Sequence, residues 1–404
     1  MGFPGLLAKV RILDASRILA GPFAAQLLGD LGADVVKLER PGAGDDTRTW
    51  GPPFVDEQTS AYYLSCNRNK RGLTLDLSHP EGQRLLQQLL PHFDVLVENY
   101  LPSSAAKLGL LPEQLWAVQP RLIVCSLSGF GRTGPLADQP GYDLAIQAMS
   151  GLMSITGQPG GEPTKVGVAI ADVLTGLYAA NAILACLLAR GQSGHGYAID
   201  LALLDCTVAA QVNLMQAYLT KVAQGVAPDQ AAPGLQGNAH AQIVPYQYFA
   251  TADSGMVLAV GNDRQWQRFC QVAAPELDVP EYATNPQRVQ ARAELVPRIA
   301  QKLRQQPTGY WLKRFDQAQV PCAPVWNYAE LWQAEPLQAR GMRVRVHDPQ
   351  GRPVELLGSP IHINASTPEV RYPPALGEHS DELLRELAGL REQEIAQLRA
   401  AGVI

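Results

Sequence analysis

Residues 10–40 read VRILDASRILAGPFAAQLLGDLGADVVKLER, and this stretch decides the fold class. Val10-Arg11-Ile12-Leu13 is a short apolar run of strand length. Gly21-Pro22 opens a helix expected over residues 23–31, and Asp34-Val35-Val36-Lys37-Leu38 reads as a second strand. Strand, helix and strand in succession make a βαβ unit, whose parallel strands are buried on both faces. The turn Leu19-Ala20-Gly21-Pro22 lacks the G-x-G-x-x-G spacing that lets backbone approach a pyrophosphate. Even with Glu39 following the second strand, a nicotinamide dinucleotide site is therefore disfavoured. Arg40 has two readings: a solvated surface charge, or a guanidinium at the carboxyl edge of the sheet that holds a phosphate or stacks on adenine.

The alternation continues outward. Residues 73–77 alternate with period two, and residues 80–90 suit a helix with Pro80 and Glu81 in its first turn. Residues 95–97 and 122–125 are buried-strand runs. A long apolar helix is expected over 173–190, then a strand over 197–201 and a helix over 204–223. Near residue 226 the composition changes, with Ala231-Ala232-Pro233-Gly234 and Gly237-Asn238 reading as a boundary loop. Strands over 246–249 and 256–260, a helix capped by Asn262, and helices over 295–305 and 310–318 make a smaller α+β unit, closed by residues 321–324. Short strands after residue 342 lead to helices over 381–387 and 393–400. The expected layout is an α/β fold: a large Rossmann-like domain from residues 1–225, a small α+β domain from 226–341, and a closing segment, 342–404.

Of 404 residues, 46% are apolar and 18% charged, and the formal net charge is -5. That balance supplies a sizeable core, and the absence of a basic stripe argues against a nucleic-acid partner. Cys66, Cys125, Cys186, Cys206, Cys270 and Cys322 form no CxxC pair and several lie in apolar runs, so they read as reduced thiols, with neither a disulfide framework nor a zinc site. The start lacks a signal-peptide pattern, and the most apolar stretch, residues 179–189, contains Asn181 and is short for a bilayer span. A cytoplasmic protein without a membrane partner is expected.

Successive motifs carry a family resemblance. They are Asp14-Ala15-Ser16-Arg17 to Ala20-Gly21-Pro22-Phe23, residues 31–41, Asn69-Lys70-Arg71-Gly72-Leu73-Thr74-Leu75-Asp76, Val97-Glu98-Asn99-Tyr100, residues 129–135, Gly141-Tyr142-Asp143, residues 165–176 and Gly261-Asn262-Asp263. In order and spacing the chain resembles the class III CoA-transferases, a family that includes formyl-CoA transferase and carnitine CoA-transferase. The resemblance implies a large Rossmann-like domain built from both chain ends, a small inserted domain, and a homodimer of two chains threaded as interlocked rings.

Asp172, in Ala169-Ile170-Ala171-Asp172-Val173, reads on its own as an N-cap, since an apolar helix follows at once. A carboxylate there is expected to be kept ionised by the helix dipole and backbone N–H groups. By the resemblance it matches the family's catalytic aspartate, which attacks the thioester. That chemistry passes through an aspartyl–acyl anhydride and an aspartyl-CoA thioester, with coenzyme A as co-substrate and neither a metal nor a permanent cofactor. Motif by motif, Arg40, Leu75, Asn99, Tyr100 and Lys107 fall at CoA contacts, and Ser78 stands where some relatives carry lysine. Lys107 also reads as an ordinary helix-surface lysine. Tyr142 and Asp143 fall at the acyl group. His240, in a stretch where the family has a mobile loop over the active site, is either a substrate contact or a structural histidine.

Two alternatives remain. An α-methylacyl-CoA racemase-type enzyme would carry histidine in a Gly-His-Asp motif, where this chain has Tyr142, a poor base at neutral pH. A non-catalytic CoA-binding protein is disfavoured by the intact Asp172. The stretch from Gly237 to Tyr246, with Gly261-Asn262-Asp263-Arg264-Gln265, looks most like members that handle small dicarboxylic acids, similar to succinate–hydroxymethylglutarate CoA-transferase. Succinyl-CoA is the expected donor and a C4–C6 dicarboxylate the acceptor. Arg17, Arg48 and Arg132 are candidates to hold the distal carboxylate.

Overall fold

The computed structural model describes residues 5–57 and 59–404. In chain order it begins β1 (Arg11–Asp14), α1 (Ala20–Asp30), β2 (Asp34–Glu39), β3 (Phe54–Asp56), β4 (Thr59–Ser60), α2 (Ala61–Asn67), β5 (Lys70–Thr74), α3 (Pro80–Leu89), β6 (Val95–Glu98) and α4 (Pro102–Leu108). It continues α5 (Pro112–Trp116), β7 (Ile123–Ser128), α6 (Asp143–Met149), α7 (Leu152–Ile155), α8 (Ile170–Ser193), β8 (Ala198–Ala202), α9 (Leu203–Ala209) and α10 (Val212–Ala223). The chain divides into two units. One takes the chain up to Leu152, Lys165–Thr220 and Pro336–Ile404; the other takes Met153–Thr164 and Lys221–Glu335.

The first unit is built on a six-stranded sheet in the order β5-β2-β1-β6-β7-β8, with every pairing parallel. The chain runs outward from β1 through β2 to β5, then crosses back to lay β6 on the other side of β1. Strand order therefore reverses between β1 and β6. In such a sheet a crevice opens at the carboxyl ends of those two strands.

Both faces are covered, which is why the strands are apolar on successive residues. Leu13, Val36 and Leu96 pack with Leu85, Leu86 and Leu89 of α3 and with Leu383, Leu384 and Leu387 near the chain's end. Their neighbours Ile12, Val35 and Val97 face the other way, onto Ala24, Ala25 and Leu28 of α1 and Ala179 and Ile183 of α8. The strand expected over 73–77 lies three residues earlier, because Leu75 and Leu77 are buried beyond the strand's end. The returning C-terminal segment covers this edge strand: Gly72 N–H donates to His379 Nδ1 at 3.1 Å and Thr74 N–H to Ser380 Oγ at 3.0 Å. The expected helix over 204–223 is two helices, α9 and α10.

α8 extends well beyond the apolar stretch 179–189 and is long and apolar enough, by length and composition, to cross a membrane. Here its inner face packs on α1 and the sheet. The approach requires Gly176: a Cβ there would lie 2.8 Å from the Ala20 carbonyl oxygen and 2.9 Å from the Phe23 ring. Leu177, Tyr178, Leu184 and Leu188 remain exposed on the outer face.

The second unit carries an antiparallel sheet of β9 (Tyr246–Ala250), β10 (Gly255–Ala259) and β11 (Cys322–Pro324). Its core stacks Trp266 on Phe269, Phe269 on Phe315 and Phe315 on Trp311. Asn262 caps the helix Asp263–Ala273 as expected, accepting from Gln265 N–H at 2.9 Å. All six cysteines are free thiols.

Gly176→Ala should cost about 1–3 kcal/mol of stability, the range for overpacking a tight contact. Chemical denaturation at equilibrium measures it; an unchanged midpoint would mean that α1 and α8 are not in close register at this point.

Candidate active site

The crevice between β1 and β6 is lined by the segment that leaves β1. Ala15 N–H still bonds the Val97 carbonyl at 2.9 Å, and then the backbone turns outward. Below it lie two fully buried ion pairs, Lys70–Asp14 and Lys37–Asp45, each 2.8 Å apart. Lys70 Nζ also donates to the Pro22 carbonyl at 2.9 Å and Asn67 Oδ1 at 2.8 Å, so its three donors meet three acceptors. Lys37 Nζ donates also to the Ser16 carbonyl at 2.6 Å. Burial pushes the Asp45 carboxyl up, and the adjoining Lys37 ammonium more than reverses this, to about 2.

Asp172 is half-buried in the first turn of α8. The helix begins at Ile170 with Ala169 as its N-cap, so Asp172 is the third residue of the helix and does not cap it. The capping carboxylate comes from another element: Asp143, first residue of α6, accepts the Ala171 N–H at 2.8 Å. Buried Gln147 completes the support, donating to Asp143 Oδ2 at 2.7 Å and accepting Val166 N–H at 2.9 Å.

This arrangement reverses the expectation that the helix N-terminus keeps Asp172 ionised. Burial first, and then the neighbouring Asp143 carboxylate, push the Asp172 carboxyl up to about 7, against an opposing hydrogen bond from Ala20 N–H. Tyr62 of α2 shares the same pocket of charge. Its hydroxyl is pushed well up by burial and then by the Asp172 and Asp143 carboxylates. Trp50 packs edge-on against Tyr62 with ring centroids 5.3 Å apart.

A cleft of about 220 Å³ opens at the same sheet edge, lined by Arg17, Arg40, Asp46, Leu75, Ser78 and Tyr100, among others. Arg40, Leu75 and Tyr100 are thus brought together. Arg17 lies over the Tyr100 ring at 4.9 Å. Asn99 is close by, but its amide is spent on backbone, accepting Arg17 N–H at 2.8 Å and donating to the Arg17 carbonyl at 2.7 Å. Lys107 is exposed in the last turn of α4, beside Leu108, which lines the cleft. Tyr142 is 70% exposed.

Arg48 and Arg132 are each engaged by an internal carboxylate, with one buried nitrogen of each, Arg48 Nη1 and Arg132 Nη2, left without a hydrogen bond among the described residues. Arg48 makes a two-pronged pair with Glu39 at 2.8 and 2.7 Å, and Arg132 bonds Glu98 at 2.8 Å. Arg17 is the freest of the three: among the described residues its one carboxylate partner is Asp46 at 3.8 Å, besides the Tyr100 ring it lies over. His240 belongs to the second unit, where its Nδ1 accepts Gln242 N–H at 3.0 Å and its ring meets Tyr246 edge-on.

Sequence reasoning passed over Tyr62, Gln147, Asp45 and both buried lysines. The lysines carried a signal: Lys37 interrupts the apolar run Val35-Val36-Lys37-Leu38, and a charge inside a buried strand requires a buried partner.

A family model described as CoA-transferase family III matches residues 7–380. Succinyl-CoA:glutarate CoA-transferase of Homo sapiens is 39% identical over 401 residues, 98% of this chain and 90% of the human protein. Succinate–glutarate CoA-transferase of Agrobacterium fabrum is 42% identical over 396 residues, 94% of this chain and 95% of the other. A solved structure of a CAIB/BAIF family protein from Brucella suis matches with a TM-score of 0.82 at 39% identity, covering 96% of this chain and 100% of that one.

The Asp172 carboxyl should titrate near pH 7 in a carbon-13 NMR titration of aspartate-labelled protein. Asp143→Asn removes a like charge while keeping an acceptor for Ala171 N–H, so the titration should move down, by roughly one unit. A midpoint near 4 in the unsubstituted protein would contradict the desolvated site.

Proposed function

The chain belongs to CoA-transferase family III, and on that premise we propose that it moves coenzyme A from succinyl-CoA to a small dicarboxylic acid with Asp172 as nucleophile. The observation that carries the reading is Asp172 itself: a half-buried carboxylate in the first turn of α8, beside Asp143, which burial and then that like charge push up to about 7. A carboxylate of raised basicity is a stronger nucleophile, and at pH 7 a large share of it is still ionised.

In the proposed sequence, Asp172 attacks the donor thioester carbonyl, and the carbon–sulfur bond breaks to give an aspartyl–acyl anhydride and CoA thiolate. The thiolate attacks the aspartyl carbonyl, forming an enzyme–CoA thioester and releasing the donor acid. The acceptor carboxylate then attacks this thioester, and the returning thiolate takes its acyl group, freeing Asp172. Each tetrahedral intermediate carries an oxyanion, which backbone N–H groups would stabilise; Ala20 N–H, which acts to lower the Asp172 carboxyl, is the candidate donor.

The cleft of Arg40, Leu75 and Tyr100 takes the nucleotide end of CoA, with Arg40 on a phosphate or the adenine. Lys107 supplies a further phosphate contact. Asn99 acts through the Arg17 backbone that it holds. Residues 17–20 join this cleft to the nucleophile, and three peptide steps span at most about 11 Å, a path for the pantetheine arm. Tyr142 and Asp143 flank the acyl group, Asp143 also fixing the start of α8. With Nδ1 accepting a hydrogen bond, the His240 proton sits on Nε2, a donor suited to a carboxylate.

The dicarboxylate assignment draws on the glutarate-handling relatives. Leu177, Tyr178 and Leu188 of α8, with Val212 of α10, are exposed apolar groups that a second copy would cover, which favours the interlocked dimer.

Incubation with succinyl-CoA followed by hydroxylamine should place a hydroxamate on the tryptic peptide 166–190, in which Asp172 is the only acidic side chain. Asp172→Asn should lose the adduct and at least about a thousandfold in kcat/KM. Solvent deuterium entering the α position, without adduct, would mean a racemase. With neither signal, the nucleophile assignment is wrong.

A further inference from the structure

The chain leaves the first unit after Leu152 and returns to it at Lys165. Asp172 follows seven residues after that return, and residues 165–169 form neither strand nor helix. The N-cap of α8, Ala169, offers no side-chain acceptor, so the first turn does not hold its own start. Two side chains of α6 take up that task.

Asp143 and Gln147 stand four positions apart, on one face of α6, where an aspartate and a glutamine meet directly. Gln147 Nε2 donates to Asp143 Oδ2 at 2.7 Å and, at 3.4 Å, to the Val168 carbonyl. Its Oε1 accepts Val166 N–H at 2.9 Å, while Asp143 Oδ1 accepts Ala171 N–H at 2.8 Å. The amide fits only one way round: turned over, its oxygen would face a carboxylate and its NH2 the Val166 N–H. Backbone groups at 166, 168 and 171 are thus held by one pair of side chains, every link a hydrogen bond. The last of them, Ala171, is the covalent neighbour of Asp172.

α6 is itself anchored. Buried Ile146 packs with Ala171 of α8 and Leu203 of α9. Gly141, just before α6, meets Gly129 so closely that a Cβ on it would lie 2.5 Å from the Gly129 Cα. Beyond the other end, Gln211 Nε2 donates to the Ser150 carbonyl at 2.8 Å. Gln147 is fully buried among these contacts, where an amide costs desolvation that only its hydrogen bonds offset.

We propose that Gln147 is a positioning residue for the transfer reaction: it ties Asp143 to the returning chain, so that α8 starts at one place and its first turn presents Asp172 to the thioester. The proposal rests on Asp172 being the nucleophile. Gln147 acts through Asp143 and the backbone, and takes no part in the bonds made or broken.

The charged and titratable groups around it are few. α8 contributes Asp172, and α9 contributes exposed Asp205 and buried Cys206. On the returning chain, exposed Lys165 bonds the Val166 carbonyl at 3.2 Å, and Tyr62 of α2 lies within electrostatic reach of Asp143.

The test compares wild type, Gln147→Met and Gln147→Glu by kcat and KM for succinyl-CoA, and by the rate of hydroxamate formation on Asp172. Circular dichroism checks that each variant is folded. Methionine keeps the length of the side chain and removes its hydrogen bonds. In Gln147→Met, kcat and hydroxamate formation should fall together, on the order of thirtyfold, with KM little changed, as expected for a misplaced reacting group. Glutamate restores both main hydrogen bonds only while it is protonated, and Asp143 beside it favours that form. The kcat of Gln147→Glu relative to wild type should therefore be near one at pH 6 and fall about tenfold by pH 9.

A methionine variant with the kcat of wild type, or one whose loss lies in KM, overturns the proposal by showing that Gln147 only fills space or serves substrate binding. Should that variant not fold, a glutamate-to-wild-type ratio that is flat with pH overturns it. If wild type itself forms no hydroxamate on Asp172, the reading of the nucleophile fails first, and this proposal with it.

Discussion

Two ammonium groups sit where water does not reach them, Lys37 and Lys70, and the shape of the crevice follows from how they are neutralised. Removing a charge from water costs several kcal/mol even after relaxation, and a well-packed apolar pair in its place is often no less stable. Stability alone does not explain such pairs. What they supply is direction: each ammonium faces a carboxylate and at least one backbone carbonyl. The chain leaving β1 is thereby fixed to the sheet beneath it, and α1 starts at one position against α8.

That position matters because the second pair of charges is of like sign. Asp143 and Asp172 lie close enough for one to raise the other, yet their partners differ. Asp143 has the Ala171 N–H and the Gln147 amide, whereas Asp172 sits in a desolvated place beside it. Unequal solvation separates two chemically identical side chains into a structural acceptor and a basic carboxylate. One fold element serves both: α8 takes its cap from Asp143 and offers Asp172 one residue further on.

Much of this was legible in the sequence. The parallel sheet followed from strands alternating with helices, and the family from ordered motifs across the chain. The location of Asp172 at the head of α8 followed from the apolar helix beyond it. The departures have physical reasons. Residues 73–77 alternate because Leu75 and Leu77 fill the core from a loop, beyond the ladder of β5. Asp172 resembles an N-cap in sequence because an aspartate precedes an apolar run; the real cap arrives from Asp143, 29 positions earlier, and long-range capping leaves no local pattern. The raised Asp172 carboxyl depends on tertiary burial, which no local propensity encodes. Arg48 and Arg132 looked available to a substrate until Glu39 and Glu98 were placed beside them.

The most direct test of Asp172 as a covalent carrier follows oxygen. With acceptor dicarboxylate labelled with oxygen-18 in both carboxyl groups, in unlabelled water, each forward turnover leaves one acceptor oxygen on Asp172 when the anhydride collapses. Mass spectrometry of the peptide 166–190 after turnover should show one added oxygen-18, rising to two over repeated cycles, with label confined to Asp172. Formation of the product thioester with no label on that peptide would contradict the account and require transfer within a complex of donor and acceptor.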